Sequence, residues 1–135
     1  MTPSLFALTA FIAWTLILLV LMEILRARLV MIKAVAANAF RPDNSNLSPF
    51  MQRLARAHAN CVEGLPVFGG LLIVAVLANK TAITDPLAYA FLIARIVQSC
   101  THITSVSVPA VNVRFFAFAL QMGIAVFWAA KLLMA

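Results

Sequence analysis

The sequence predicts an all-α integral membrane protein, folded as one four-helix up-down antiparallel bundle over residues 1–135. The chain is 64% hydrophobic and only 10% charged, with a mean hydropathy of +1.04, so its apolar share is far above that of soluble domains. Four apolar segments are separated by short polar connections. Three of these segments begin with a capping residue followed by proline, which is a common way for a helix to start.

The helix boundaries follow from such local signals. The predicted helices cover about residues 3–40, 48–78, 86–105 and 109–133. Residues 5–22 form an uncharged apolar run. The charges that follow this run favour a transmembrane helix over a signal peptide, in which positive charge precedes the apolar core. Trp128, near the far end of the fourth helix, is predicted to anchor that helix at the membrane interface.

Positive charge is concentrated on one side of the predicted bundle. Six of the ten cations lie between the first two apolar segments: Arg26, Arg28, Lys33, Arg41, Arg53 and Arg56. An excess of Lys and Arg is typical of loops that stay in the cytoplasm. We therefore expect the first loop to be cytoplasmic, and both termini and residues 79–85 to lie outside. This distribution argues against nucleic-acid binding, although the net charge is +6.

A polar stripe runs along the second predicted helix. At helical spacing its four members fall within an arc of about 80°: Arg53, Arg56, Asn60 and Glu63. A charged side chain inside a bilayer costs at least about 2.5–3.5 kcal/mol, so the stripe should face protein or a cavity rather than lipid. Pro66 removes one backbone hydrogen bond, which predicts a kink near residues 63–66.

The third predicted helix carries a second polar stripe within an arc of about 100°: Arg95, Gln98, Ser99 and His102. Two interpretations of these residues remain open. Glu63 could form a structural ion pair with Arg95 or with Arg56, and His102 could be a hydrogen-bonded residue of the bundle.

The two cysteines carry no sign of a redox or metal function. Cys61 and Cys100 both fall inside apolar helical segments and lack metal-ligand spacing. We interpret both as small packing residues, and we predict neither a disulfide nor a metal site.

The second helix also carries a specific motif, Arg56-Ala-His58-Ala-Asn60-Cys-Val-Glu63-Gly-Leu-Pro66. It resembles the signature of the MAPEG family, the membrane-associated proteins in eicosanoid and glutathione metabolism. That signature is roughly Arg-Ala-(His or Gln)-x-Asn-x-x-Glu, followed by an apolar residue and proline. The chain length, the four helices and the basic first loop resemble the family as well, so the similarity covers essentially the whole chain.

This resemblance implies a bacterial-type member, a multi-pass homotrimer in the bacterial inner membrane. It implies glutathione as the thiol substrate, bound between protomers near the cytoplasmic side, and a hydrophobic second substrate that arrives through the bilayer. The implied function is a glutathione-dependent transferase or peroxidase. The alternative is a non-catalytic trimer that binds lipid or a partner protein. A small transporter is disfavoured, because the second-helix stripe lies near one side of the membrane only.

The resemblance also assigns site residues. The implied glutathione-binding residues are Arg28, Arg56, Asn60, Glu63, Gln98 and His102. Arg26 and Lys33 are alternatives to Arg28 on the first helix. Arg114 is the implied catalytic residue, near the start of the fourth helix, although it could equally be an interfacial charge that reaches the headgroups. A free thiol with a pKa of about 8.5 is mostly protonated at neutral pH, and a neighbouring cation favours the reactive thiolate.

Three positions depart from the family pattern. Gln98 and His102 stand where family enzymes often carry His or Tyr, and then Tyr. Phe118 stands where some members have a tyrosine on the fourth helix. These departures favour the non-catalytic alternative, and the animal eicosanoid activities are not predicted.

Overall fold

The computed structural model describes all 135 residues as an all-helical chain without strands. Four helices form the bundle: α1 (Pro3–Met31), α2 (Pro49–Leu77), α3 (Thr81–Thr104) and α4 (Val108–Met134). Helices α1, α2 and α4 are long and apolar enough to cross a membrane. The predicted fold class, a membrane bundle of four helices, is thereby confirmed.

Helix α1 ends earlier than predicted, at Met31 instead of near residue 40. Lys33 adopts a left-handed backbone conformation with φ 58°. Its N–H donates to the Val30 carbonyl, and the Ala34 N–H donates to the Leu29 carbonyl, both at 3.0 Å. These two bonds close the helix in the manner of a Schellman motif. Glycine usually fills the left-handed position, so a lysine there left no sequence signal for the helix end.

Arg26 fastens the loop between α1 and α2 to the bundle. Its Nε and Nη2 donate to Oδ1 of Asn44 at 3.0 and 2.6 Å, and Nη2 also donates to the Arg41 carbonyl at 3.1 Å. Asn44 is fully buried and donates in turn to the Met51 carbonyl at 2.8 Å. Arg26 therefore holds the loop against the bundle.

Helix α2 is interrupted where Pro66 was expected to disturb it. Its first α-helical part, Pro49–Gly64, passes into one π-helical turn, Leu65–Gly69, and then into a second α-helical part, Gly70–Leu77. Proline lacks the N–H of a regular helical bond, and the wider turn absorbs this loss. The predicted irregularity thus takes the form of a π-helical turn.

Helix α3 begins at Thr81, several residues before the predicted start at Pro86, which lies inside the helix. Asp85 caps α1 instead of α3: its Oδ1 accepts from the backbone N–H of Ser4 at 2.9 Å and from the Ser4 hydroxyl at 2.5 Å. The Ser4 hydroxyl also lies 2.6 Å from that of Thr84. A carboxylate at a helix N-terminus satisfies free N–H groups and the helix dipole. The sequence interpretation placed the start of α3 at Asp85-Pro86. This was wrong, because Asp85 caps another helix, α1.

The centre of the core is an aromatic cluster with one ring from each helix. Phe91 of α3 contacts Phe11 of α1, Phe68 of α2 and Trp128 of α4, with ring centroids 5.6, 5.3 and 5.7 Å apart. All four side chains are buried. Trp128 is fully enclosed, so the expectation that it anchors α4 at the membrane interface was wrong.

Replacing Ser4 by alanine should destabilise the bundle by about 1–3 kcal/mol, because the buried Thr84 hydroxyl and the half-buried Asp85 carboxylate each lose their hydrogen bond to the Ser4 hydroxyl. The measurement is the free energy of unfolding in detergent micelles. Thr9→Ala is the matched control, since its exposed hydroxyl bonds only to the Leu5 carbonyl of its own helix, and it should change stability by less than about 0.5 kcal/mol. Equal stability of the two variants would contradict the role given to Ser4.

Candidate functional site

A groove of about 650 Å³ opens between α2, α3 and α4. Its polar lining consists of Arg56, Asn60, Glu63, Arg95 and Gln98. Its remaining lining is apolar or carries no side chain: Gly64, Val67, Phe68, Phe118, Met122, Ala125 and Val126. The structure therefore brings four of the six expected glutathione-binding residues to one surface, with an apolar wall beside them.

The α2 stripe lines the mouth of this groove. Helical spacing puts Arg56, Asn60 and Glu63 on one face, and Nη1 of Arg56 lies 3.6 Å from Oε1 of Glu63. Both side chains are more than half exposed in the protomer, and such a pair contributes at most about 1 kcal/mol. The two charges consequently remain available to a ligand.

Arg95 is enclosed at the back of the groove, and only 1% of it is exposed. Its guanidinium lies between the rings of Phe11 and Phe68, 5.2 and 5.3 Å from their centroids, which is favourable cation–π geometry. Nη1 donates a long bond of 3.4 Å to the Asn60 carbonyl. Nε and Nη2 have no hydrogen-bond partner.

Arg95 forms no ion pair with Glu63, so of the two pairings left open the structure has the one with Arg56. The reason is helical geometry. Arg95 packs against the side of α2 that carries Asn60 and Gly64, and Glu63 is rotated about 100° from Gly64. The carboxylate consequently points along the groove mouth instead of toward the core.

Hydrogen bonds hold the amide groups at the α3 side. Nδ2 of Asn60 lies 3.4 Å from Nδ1 of His102, which places His102 beside the groove although it does not line it. The Gln98 Oε1 accepts from Nε2 of Gln121 at 2.9 Å. Gln121 is fully buried, and the sequence interpretation missed it. Its signal was present, since a glutamine stands alone in a long apolar run of α4.

Cations gather at the end of the groove near the first loop. Arg53, Arg56 and Arg114 all lie close enough to His102 for their charges to act on it. Nε of Arg53 donates to the Ile103 carbonyl at 2.8 Å, so Arg53 closes the last turn of α3. Arg114 is half-buried, its Nε has no partner, and it does not line the groove. An anion at this end would meet several positive charges.

Arg28 lies elsewhere in the protomer. It is exposed near the end of α1 and lines a second groove of about 520 Å³, formed with the first loop and the start of α2. The structure therefore does not bring Arg28 to Arg56 within one protomer. No residue of α1 lines the principal groove, and Phe11 of α1 packs against Arg95.

The arrangement suits an amphipathic reaction. The basic mouth with its amides can hold an anionic, peptide-like molecule, and the apolar wall can hold a hydrophobic one beside it. No group of three or more His, Cys, Asp or Glu side chains is placed to bind a metal ion. Cys61 is buried and Cys100 is exposed, and both are free thiols.

Comparison with known proteins gives one clear match. No curated protein and no solved structure is significantly similar to the chain. The MAPEG family matches residues 4–134, which include all four helices and the groove. The protein is therefore a member of the MAPEG family.

Proposed function

We propose that the protein is a membrane-embedded glutathione-dependent transferase or peroxidase that acts on a hydrophobic electrophile from the bilayer. The observation that carries this proposal is the groove, which joins a basic, amide-lined mouth to an apolar wall. Membership of the MAPEG family supports it, because the family includes glutathione transferases and peroxidases as well as non-catalytic members.

The mouth of the groove fits the polar groups of glutathione. Arg56 would bind a carboxylate through charge-assisted hydrogen bonds, and the Glu63 carboxylate would accept from the ammonium group. The side-chain amides of Asn60 and Gln98 offer both donors and acceptors to the peptide groups. His102 would act through its contact with Asn60.

The chemistry follows from the thiolate. In a transfer reaction the sulfur attacks an electrophilic carbon, a carbon–sulfur bond forms, and the leaving group departs with its electron pair. In a peroxidase reaction the sulfur attacks a peroxide oxygen and the O–O bond breaks. A second glutathione then displaces water from the resulting sulfenic acid, which yields glutathione disulfide. By family resemblance Arg114 is the cation proposed to favour the thiolate, although within one protomer it stands outside the groove.

The proposed location is a bacterial inner membrane, with the first loop in the cytoplasm and both termini outside. In this orientation glutathione enters from the basic end of the groove. The second substrate partitions through lipid and reaches Val67, Met122 and Val126 on the apolar wall. Placing the enzyme in the bilayer thus brings a water-soluble thiol and a lipid-soluble acceptor to one surface.

A second candidate function is a non-catalytic trimer that binds lipid or a partner protein. The observation in its favour is the absence of any tyrosine hydroxyl from the groove, since Phe118 lines it and the single tyrosine, Tyr89, is exposed elsewhere on α3. Glutathione-dependent turnover of a hydrophobic electrophile by the purified protein distinguishes the two functions, because only the first requires it.

Replacing Arg56 by leucine should weaken glutathione binding roughly 10- to 100-fold, because a charge-assisted bond worth about 1.5–3 kcal/mol is lost. Calorimetric titration in detergent measures the affinity. Arg41→Leu is the matched control, since it removes the same charge from an exposed part of the first loop. Equal affinities of wild type and Arg56→Leu, or no binding by either at millimolar glutathione, would reject the thiol site.

Replacing Glu63 by leucine tests, in the same titration, whether this residue serves ligand binding or the stability of the fold. The Glu63 carboxylate pairs only with an exposed arginine, so its loss should change the stability of the protomer by less than about 1 kcal/mol. Glutathione binding should nevertheless weaken. A large loss of stability would instead indicate that Glu63 serves the fold.

We further propose that the protein assembles as a homotrimer. In one protomer Arg56 and Glu63 are largely uncovered on α2, a helix apolar enough to cross a membrane, and neighbouring copies would enclose them. Native mass spectrometry in detergent should therefore detect three copies. Arg56→Leu should assemble in the same way, and a population limited to monomers and dimers would count against the proposal.

The proposed orientation predicts where a reporter will work. A reporter active only in the cytoplasm should give no signal when fused after Ala135, because the cations cluster in and around the first loop and not at the termini. The same reporter inserted after Asn38, an exposed residue of the first loop, should be active. Strong activity at Ala135 would reverse the orientation.

A further inference from the structure

Gln121 of α4 is a fully buried amide that does not itself line the groove. Its Nε2 donates to the Ala117 carbonyl at 3.0 Å and to Oε1 of Gln98 at 2.9 Å. Its own Oε1 is enclosed and accepts no hydrogen bond. An enclosed acceptor without a partner is costly, and an apolar side chain of the same size would avoid that cost. The stability of the fold alone therefore gives no reason for a glutamine at this position.

The Ala117 carbonyl fixes the orientation of two amide groups in turn. A backbone carbonyl can only accept a hydrogen bond, so Gln121 must turn Nε2 and not Oε1 toward it. The second N–H of Gln121 then points at Gln98, and the Gln98 atom that meets it must be the acceptor Oε1. If the Gln98 amide were turned by 180°, two NH₂ groups would face each other.

Gln98 consequently presents hydrogen-bond donors to the groove. Gln98 lines the groove, and its Nε2 forms no hydrogen bond within the protein and is not fully enclosed. A freely rotating glutamine offers a ligand either a donor or an acceptor, whereas here Oε1 is turned toward the buried Gln121. The ligand atom that meets Gln98 should therefore be an acceptor, because a ligand N–H would face the N–H groups of Gln98.

We propose that Gln121 is a positioning residue that holds the Gln98 amide with its donors toward the groove, where Gln98 binds a peptide carbonyl oxygen of glutathione. The inference rests on the proposed function and adds to that site a residue of α4 that touches no ligand. Arg56 is the proposed partner of a carboxylate, so the peptide carbonyls remain as acceptors for Gln98. A donor that is already oriented loses less conformational freedom when the ligand binds, and affinity gains accordingly.

The test is a double-mutant cycle on glutathione affinity, measured by calorimetry in detergent with Gln98→Met, Gln121→Met and the double variant. Methionine is unbranched and close to glutamine in size, but it lacks the amide. Gln98→Met should weaken binding about 3- to 10-fold, the effect of one neutral hydrogen bond. Gln121→Met should weaken it at least about twofold, because the released Gln98 amide can turn its acceptor toward the groove.

The double variant distinguishes positioning from a merely structural role. If Gln121 acts only through Gln98, the double variant should bind glutathione as tightly as Gln98→Met alone, since no amide remains to be oriented. Leu120→Met is the matched control on the same helix, because Leu120 is exposed and does not line the groove, and it should behave as wild type. If Gln121→Met does not fold, Gln121→Leu serves as the second variant with the same expected loss.

The outcomes separate this inference from the proposed function. If wild type binds glutathione and Gln98→Met binds it equally well, the contact with the carbonyl is wrong and the thiol site stands. If Gln121→Met binds as wild type does, or if the losses of the two single variants multiply in the double variant, the positioning role of Gln121 is wrong. If wild type does not bind glutathione at all, the proposed function fails, and the role of Gln121 fails with it.

Discussion

The enclosure of one positive charge inside a membrane bundle is the constraint on which the rest of the structure depends. Arg95 of α3 is held by an aromatic ring from α1, by another from α2 and by a backbone carbonyl of α2. The same two rings, Phe11 and Phe68, surround Phe91 and so belong to the core in which all four helices meet. The charge of Arg95 and the aromatic core therefore depend on the same two rings, and a shift of α1 or of α2 would disturb both.

Side chains at both ends of the bundle form hydrogen bonds between elements, whereas Arg95 beside the groove keeps two donors without a partner. At one end Asp85 accepts both donors of Ser4, and at the other Arg26 and Asn44 bond the loop together. Between them Arg95 keeps two unused donors in a place where unpaired groups are most costly.

The sequence predicted what depends on local signals and missed what depends on contacts between helices. Four helices and the polar stripe of α2 follow from hydropathy and helical spacing, and the structure confirms the fold class and places Arg56, Asn60 and Glu63 in one groove. The end of α1 was misplaced because Lys33 takes a conformation that glycine usually provides. The start of α3 was misplaced because Asp85 is used by α1, and no local pattern records a partner that lies on another helix.

The ion pair that Glu63 forms also depends on how the helices pack, and it determines which charges remain available to a ligand. Spacing alone allowed a buried pair with Arg95, which would have neutralised both charges and left a scaffold with little to offer a ligand. Rotation about α2 instead turns Glu63 toward the exposed Arg56 and leaves Gly64 against Arg95. The groove therefore has a mouth with both signs of charge, at Arg56 and Glu63, and an inner end at which the cation Arg95 is unpaired.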